Sequence, residues 1–137
     1  MNNRLDLKRI LNYQRKFVFD RRWAKFHTPK NLTMALAGEV GELLEIFQWL
    51  DEHESKRVMQ KVKSAQSVRH EIADIFYYLL RLCDELGVDI EKALWEKFAL
   101  NEKKYPVHLC RGSAKKYTEL RAKSGAGSGV ENSLNRD

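Results

Sequence analysis

Apolar residues recur along this chain at intervals of three and four, the period of an α-helix, and no segment shows a convincing period-two alternation of a β-strand. A first helix is expected over about residues 5–23, with Ile10, Leu11, Phe17 and Val18 on one side and Arg and Lys elsewhere. Thr28-Pro29 opens a second helix: the Thr side chain accepts from exposed backbone N–H groups, and Pro has no amide hydrogen to leave unpaired. That helix is expected to reach Trp49 or Leu50, with Asp51-Glu52-His53-Glu54 as a connection. A third helical region covers about residues 55–86, and its polar beginning, around 56–63, suits a separate short helix. Val68, Ile72, Ile75, Leu79, Leu82 and Leu86 then form the expected core stripe. Gly87 suits the left-handed residue that ends a helix, and Asp89 the cap of the next. The last helix, about residues 90–104, should stop before Tyr105-Pro106, because a residue preceding Pro avoids helical geometry. The fold class is all-α, bundle-like, with four main helices.

Composition narrows the setting. The 137 residues, 43% hydrophobic and 32% charged, suit one globular domain with its own core. We expect that domain over 1–112, followed by a basic polar tail over 113–137 that is disordered from about 124. No run of about 18 uncharged apolar residues suggests a membrane span, and the charged N-terminus lacks a signal core. Cys83 and Cys110 are too few for a disulfide framework and read as small buried side chains, so a reducing cytoplasm is expected. The net charge of +6 conceals an asymmetry: +7 over residues 1–30, −5 over 31–90 and +4 over 91–137. An acidic centre between basic flanks suits a cation site beside an anionic ligand.

The acidic centre holds the candidate chemistry. Glu39 and Glu42 lie three apart on the second helix, and Glu71 and Asp74 three apart on the third, so each pair projects from one helical face. Both pairs lie beside apolar positions, which places them toward the bundle interior or a cleft. With the two helices antiparallel, four carboxylates converge, and their mutual repulsion opposes folding unless a cation sits among them. Mg²⁺ fits best, since it takes oxygen ligands and keeps positions for water and phosphates. Iron is disfavoured because the Glu-x-x-His pattern of di-iron bundles is missing. Gly38 and Gly41 add to this reading: each costs about 1 kcal/mol relative to Ala inside a helix, so a close helix approach or room for a ligand should offset them.

At these residues the sequence resembles the MazG-like, all-α nucleoside triphosphate pyrophosphatases, whose signature E-x-x-E…E-x-x-D is matched by Glu39/Glu42 and Glu71/Asp74. It is most similar to the dCTP pyrophosphatase branch, over about residues 17–120. The shared strings are W-x-x-F-H-x-P-x-N-L at 23–32, G-E-V-G-E-L-x-E-x-F-Q-W at 38–49, N-x-x-x-Y-P-x-H-L at 101–109 and K-Y-T-E-L at 116–120. The resemblance implies a Mg²⁺-dependent enzyme that cleaves a deoxynucleoside triphosphate, dCTP or a modified dCTP, between its α and β phosphates. It implies that Glu39, Glu42, Glu71 and Asp74 hold Mg²⁺, that the stretch from Trp23 to His27 with Trp49 and Tyr78 surrounds the nucleotide, and that the protein is a homo-oligomer, a tetramer as in that branch, with a dimer as the alternative. Such an enzyme would clear unwanted pyrimidine deoxynucleotides. Where relatives carry a base-site His in the first helix, this chain has Gln14.

Spacing adds detail. Tyr78 continues the Glu71–Asp74 row by one turn, Trp49 continues the Glu39–Glu42 row, and Trp23 and His27 share a face if the first helix extends that far. Glu45, three beyond Glu42, is a candidate to orient the attacking water. Lys97, Asn101 and Lys104 line up along the last helix, a pattern suited to phosphates and a sugar hydroxyl. Two other readings are the same chemistry with broad dNTP or dUTP use, and a non-catalytic helical module that binds nucleic acid through its basic flanks. The last ranks lowest because it leaves the four acids unexplained.

Overall fold

The computed structural model describes residues 5–112, and the expected tail lies outside them. Its elements, in order, are α1 (Leu7–Asp20), a 3₁₀ turn (Ala24–Phe26), α2 (Pro29–Phe47), α3 (Glu52–Lys56), a second 3₁₀ turn (Val58–Gln60), α4 (Val62–Leu86), α5 (Ile90–Lys104) and α6 (Val107–Cys110). Among the described residues every regular element is helical, as the periodicity predicts. The chain forms two compact units, Met1–Ile90 and Glu91–Asp137.

Local chemistry sets most of the boundaries. Asp6 caps α1 by accepting from the Arg9 amide, and Thr28 caps α2 by accepting from that of Asn31. Gly87, at φ 65°, closes α4; the Val88 amide reaches back to the Cys83 carbonyl at 2.8 Å. Pro106, extended at φ −63° and ψ 136°, follows the end of α5. Three expectations need correction. The first helix stops at Asp20 rather than near 23, the second at Phe47 rather than at Trp49 or Leu50, and the acidic stretch after Leu50 is not a bare connection. Asp51 and Glu54 form a capping box, each accepting from the other's backbone amide, and this starts α3.

In the first unit α2 and α4 form the principal pairing. They run antiparallel: Glu39 and Glu42 meet Glu71, whereas the later Ile46 shares a cavity with the earlier Ser64. Leu32 of α2 and Leu80 of α4 are the fully buried centre, joined by Val18, Val58, Ala65, Val68 and Cys83. The expected stripe on α4 is displaced from this core. Val68 is buried and Ile75, Leu79 and Leu82 are half-buried, but Ile72 and Leu86 are 53% and 55% exposed. α4 carries apolar residues on more than one side, so periodicity alone could not choose the inward face. Cys110 is likewise half-buried rather than buried. α1 rests on α4 through Val18 and through Gln14, whose Nε2 donates to the Tyr77 carbonyl at 2.8 Å.

Candidate metal and nucleotide site

The antiparallel pairing of α2 with α4 brings Glu39, Glu42 and Glu71 together, each offering a carboxylate oxygen within 4.8 Å of the others. Glu39 and Glu71 are half-buried and Glu42 is exposed. Asp74, one turn past Glu71, is exposed and stands outside the set whose oxygens all lie within 4.8 Å of one another. Its charge still bears on Glu39. Glu45, one turn past Glu42, is exposed and also outside the trio.

The electrostatics are unbalanced. The Glu39 carboxyl is pushed above the ordinary carboxylate range, first by burial, then by the charges of Glu42, Asp74 and Glu71. Among the described residues, none of these four acids is ion-paired with Lys, Arg or His. All the donors are hard oxygens, with no His or Cys among them, and this set fits a divalent cation such as Mg²⁺ better than a soft or redox-active metal. Gly38 and Gly41 of α2 face open space, with nothing within 4 Å of a Cβ placed on either. A close approach within the chain therefore does not explain them.

Metal-free stability should follow from the raised Glu39. The folded state holds a proton there more tightly than the unfolded state, so stability falls as pH rises from the ordinary carboxylate range through the raised value. We expect the metal-free melting temperature to decline across that window and the decline to flatten in Glu42→Gln, which removes the repelling charge with the largest effect on Glu39. Thermal melts between about pH 4 and 8 in a metal chelator check this; an unchanged slope in the variant counts against it.

Tyr78 stands one turn beyond Asp74, half-buried, with its hydroxyl pushed up by burial and then by Glu39 and Asp74. The Tyr77 and Tyr78 rings meet edge to face, centroids 5.3 Å apart. Tyr78 therefore borders the acidic trio, as its spacing implies. Trp23 and His27 do not share a helix, because α1 has already ended. They bracket the first 3₁₀ turn, with rings 6.3 Å apart, and Phe17 packs edge-on against Trp23 at 5.9 Å. His27 faces Arg81 and Glu85 near the end of α4. Arg81 is ten residues past Glu71, about 15 Å of helix rise, so this aromatic turn stands well apart from the carboxylates along the same helix. Trp49 lies beyond the last residue of α2, 85% exposed, and does not continue the Glu39–Glu42 row. Lys97, Asn101 and Lys104 lie on α5 in the second unit, where the Lys104 ammonium sits 5.4 Å from the Tyr105 ring.

Sequence reasoning missed one group. Arg81, buried on α4, binds Asp84 through Nη1 and Glu85 through Nη2, each at 2.5 Å, and Asp84 also takes the Arg15 guanidinium of α1. The i+3 and i+4 spacing of Asp84 and Glu85 from Arg81 is legible, but such sets usually mark a solvated face.

Residues 35–120 match the MazG-like family. Over 114 residues the chain is 41% identical to dCTP pyrophosphatase 1 of Rattus norvegicus and 39% identical to that of Homo sapiens, in each case across 83% of this chain and 67% of the relative. The crystal structure of a pyrophosphatase from Archaeoglobus fulgidus superposes with a TM-score of 0.70 at 40% identity, across 77% of this chain and 97% of that one. With the helical architecture, the acidic trio and these likenesses in agreement, the chain belongs to the MazG-like family.

Proposed function

We propose that this chain is a Mg²⁺-dependent nucleoside triphosphate pyrophosphohydrolase that converts dCTP, or a modified dCTP, to the monophosphate and pyrophosphate. The enzyme class rests on kinship with proteins named as pyrophosphatases, and dCTP as substrate on the relatives named for it. The single observation that carries the chemistry is the unpaired trio Glu39, Glu42 and Glu71, with Asp74 close enough to add its charge. These residues would hold the ion, which supplies charge neutralisation for the phosphates and activates water for attack on the α-phosphorus. Glu45, one turn past Glu42 on α2, is assigned to orient that water.

The protein's own side chains define the remainder of the reading. Along α4 the order is carboxylates, then Tyr78, then the turn of Trp23 and His27, a span comparable to an extended nucleoside triphosphate. Phosphates would lie at the acids, the sugar near Tyr78 and the base against Trp23 and His27, with Lys97, Asn101 and Lys104 assigned to phosphate and sugar. Trp49 lies at the opposite end of α2 from His27, and 19 residues make that helix about 28 Å long. One copy therefore cannot wrap both aromatics around one base. Trp49 is read as serving a neighbouring copy in a homo-oligomer, taken as a tetramer. Exposed Val40, Leu44 and Ile72 on α2 and α4 supply apolar surface for that assembly. Among the described residues no helix is long and apolar enough to cross a membrane, and both cysteines are free; the cytoplasmic setting is proposed from the sequence.

A panel of dNTPs and NTPs, incubated with and without Mg²⁺ and resolved by chromatography, tests the proposal. Monophosphate and pyrophosphate are expected from dCTP only when Mg²⁺ is present. Release of orthophosphate, or equal turnover in a chelator, would overturn it. Preferred hydrolysis of dUTP, or similar rates for all dNTPs, would move the assignment to the broader alternative.

A further inference from the structure

We propose that Arg81 is a positioning residue for the nucleotide: from α4 it fixes the turn bearing Trp23 and His27 without itself touching substrate. The inference rests on the nucleotide reading above and extends it to a residue outside the carboxylate site. Arg81 and Gln14 are the buried polar side chains among the described residues, at 8% and 3% exposure. Burying a guanidinium is expensive unless it is paired, and here it is paired twice, to Asp84 and Glu85. Asp84 in turn binds Arg15, so the network reaches from α4 to α1 on one side of the aromatic turn. A cavity of about 380 Å³ opens there, lined by Arg15, Phe19, Ala24, Arg81 and Glu85 among others.

Arg81 Nε and His27 Nδ1 are both buried, and neither has a hydrogen-bond partner among the described residues. His27 is held below its ordinary value first by burial and then by the Arg81 charge, with Glu85 opposing. Arg81 and Glu85, both from α4, are the charged groups that bear on this imidazole. A neutral His27 is what a base edge requires of a ring that both donates and accepts. The turn itself is under tension. Arg22 sits at φ 54°, the left-handed position after α1, where Gly87 does the same work without strain after α4. Backbone of that kind persists only where its surroundings hold it. The Trp23 amide bonds the Val18 carbonyl at 3.0 Å, and Asn31 Nδ2 bonds that of Phe26 at 3.0 Å. Arg81 and Ala24 of this turn line the same cavity.

A purely structural staple would alter stability alone, so the test reads binding and the imidazole. In full-length protein with dCTP and Mg²⁺, Arg81→Gln should raise KM on the order of tenfold with kcat within about twofold, and Arg81→Lys should recover part of the loss. The His27 titration, followed by NMR, should move upward in Arg81→Gln, since a cation is lost and Glu85 is released. Arg15→Met, at an exposed position, should raise KM in the same direction by less. It carries the KM and NMR comparisons alone if Arg81→Gln does not fold. Unchanged KM in the variants, a fall in kcat at constant KM, or an unmoved His27 titration would each overturn the assignment. If wild-type protein hydrolyses no nucleotide, the functional reading fails, while the His27 titration still decides whether Arg81 sets the turn.

Discussion

Glu71→Gln is expected to lower kcat on the order of 10²–10³-fold while raising the melting temperature of the metal-free protein. The two effects have one cause. Glu71 stands beside Glu39 and Glu42 with no cation paired to it among the described residues, so its charge disfavours the folded chain when no metal is present. The same charge is what a divalent ion uses, and such an ion supplies several kcal/mol of transition-state stabilisation, which corresponds to the expected loss. Glutamine keeps the size and removes the charge. Mg²⁺ at a hundred times its Kd should stabilise the wild type by about 2.7 kcal/mol, and the variant by less. Thermal melts with and without Mg²⁺, alongside turnover, separate these terms. A variant that retains wild-type turnover, or that melts lower without metal, would remove the trio from the mechanism.

The trio was legible because it depends on two spacings and one antiparallel pairing. Glu39 and Glu42, then Glu71, stand where helical geometry puts them. Asp74 was harder. A spacing of three fixes a face only to within some tens of degrees, so Asp74 is exposed where Glu71 is half-buried, although its charge still acts on Glu39. The displaced stripe on α4 has the same origin: Ile72 and Leu86 are as apolar as Val68 and Leu80, so the pattern could not say which set meets α2. The start of α3 was readable in principle, since Asp51-x-x-Glu54 is a capping-box signature. The aromatic turn was not readable. It depends on Arg22 taking a conformation usually left to Gly, and on Arg81 being buried by its own acidic neighbours. Neither follows from local propensity.

Trp49→Ala should reduce kcat/KM by about 5- to 150-fold, the equivalent of the 1–3 kcal/mol that stacking one base on an aromatic ring provides. The site of that loss is the sharper expectation. Trp49 is 85% exposed at the end of α2 remote from His27. On the oligomeric reading proposed above, its contribution is made to a site whose carboxylates belong to another copy. Co-expressing Trp49→Ala chains with Glu71→Gln chains should then give activity above that of either variant alone. In the mixed assembly, a Trp49→Ala chain supplies intact acids and its neighbour supplies the indole. If Trp49 instead served its own chain, every site in the mixture would lack one component, and the mixture would show only the average of the two variants. Tracking activity against the ratio of the two chains, in assemblies sized by light scattering, distinguishes these outcomes. A loss of assembly in Trp49→Ala alone would assign the indole to the subunit contact rather than to the base.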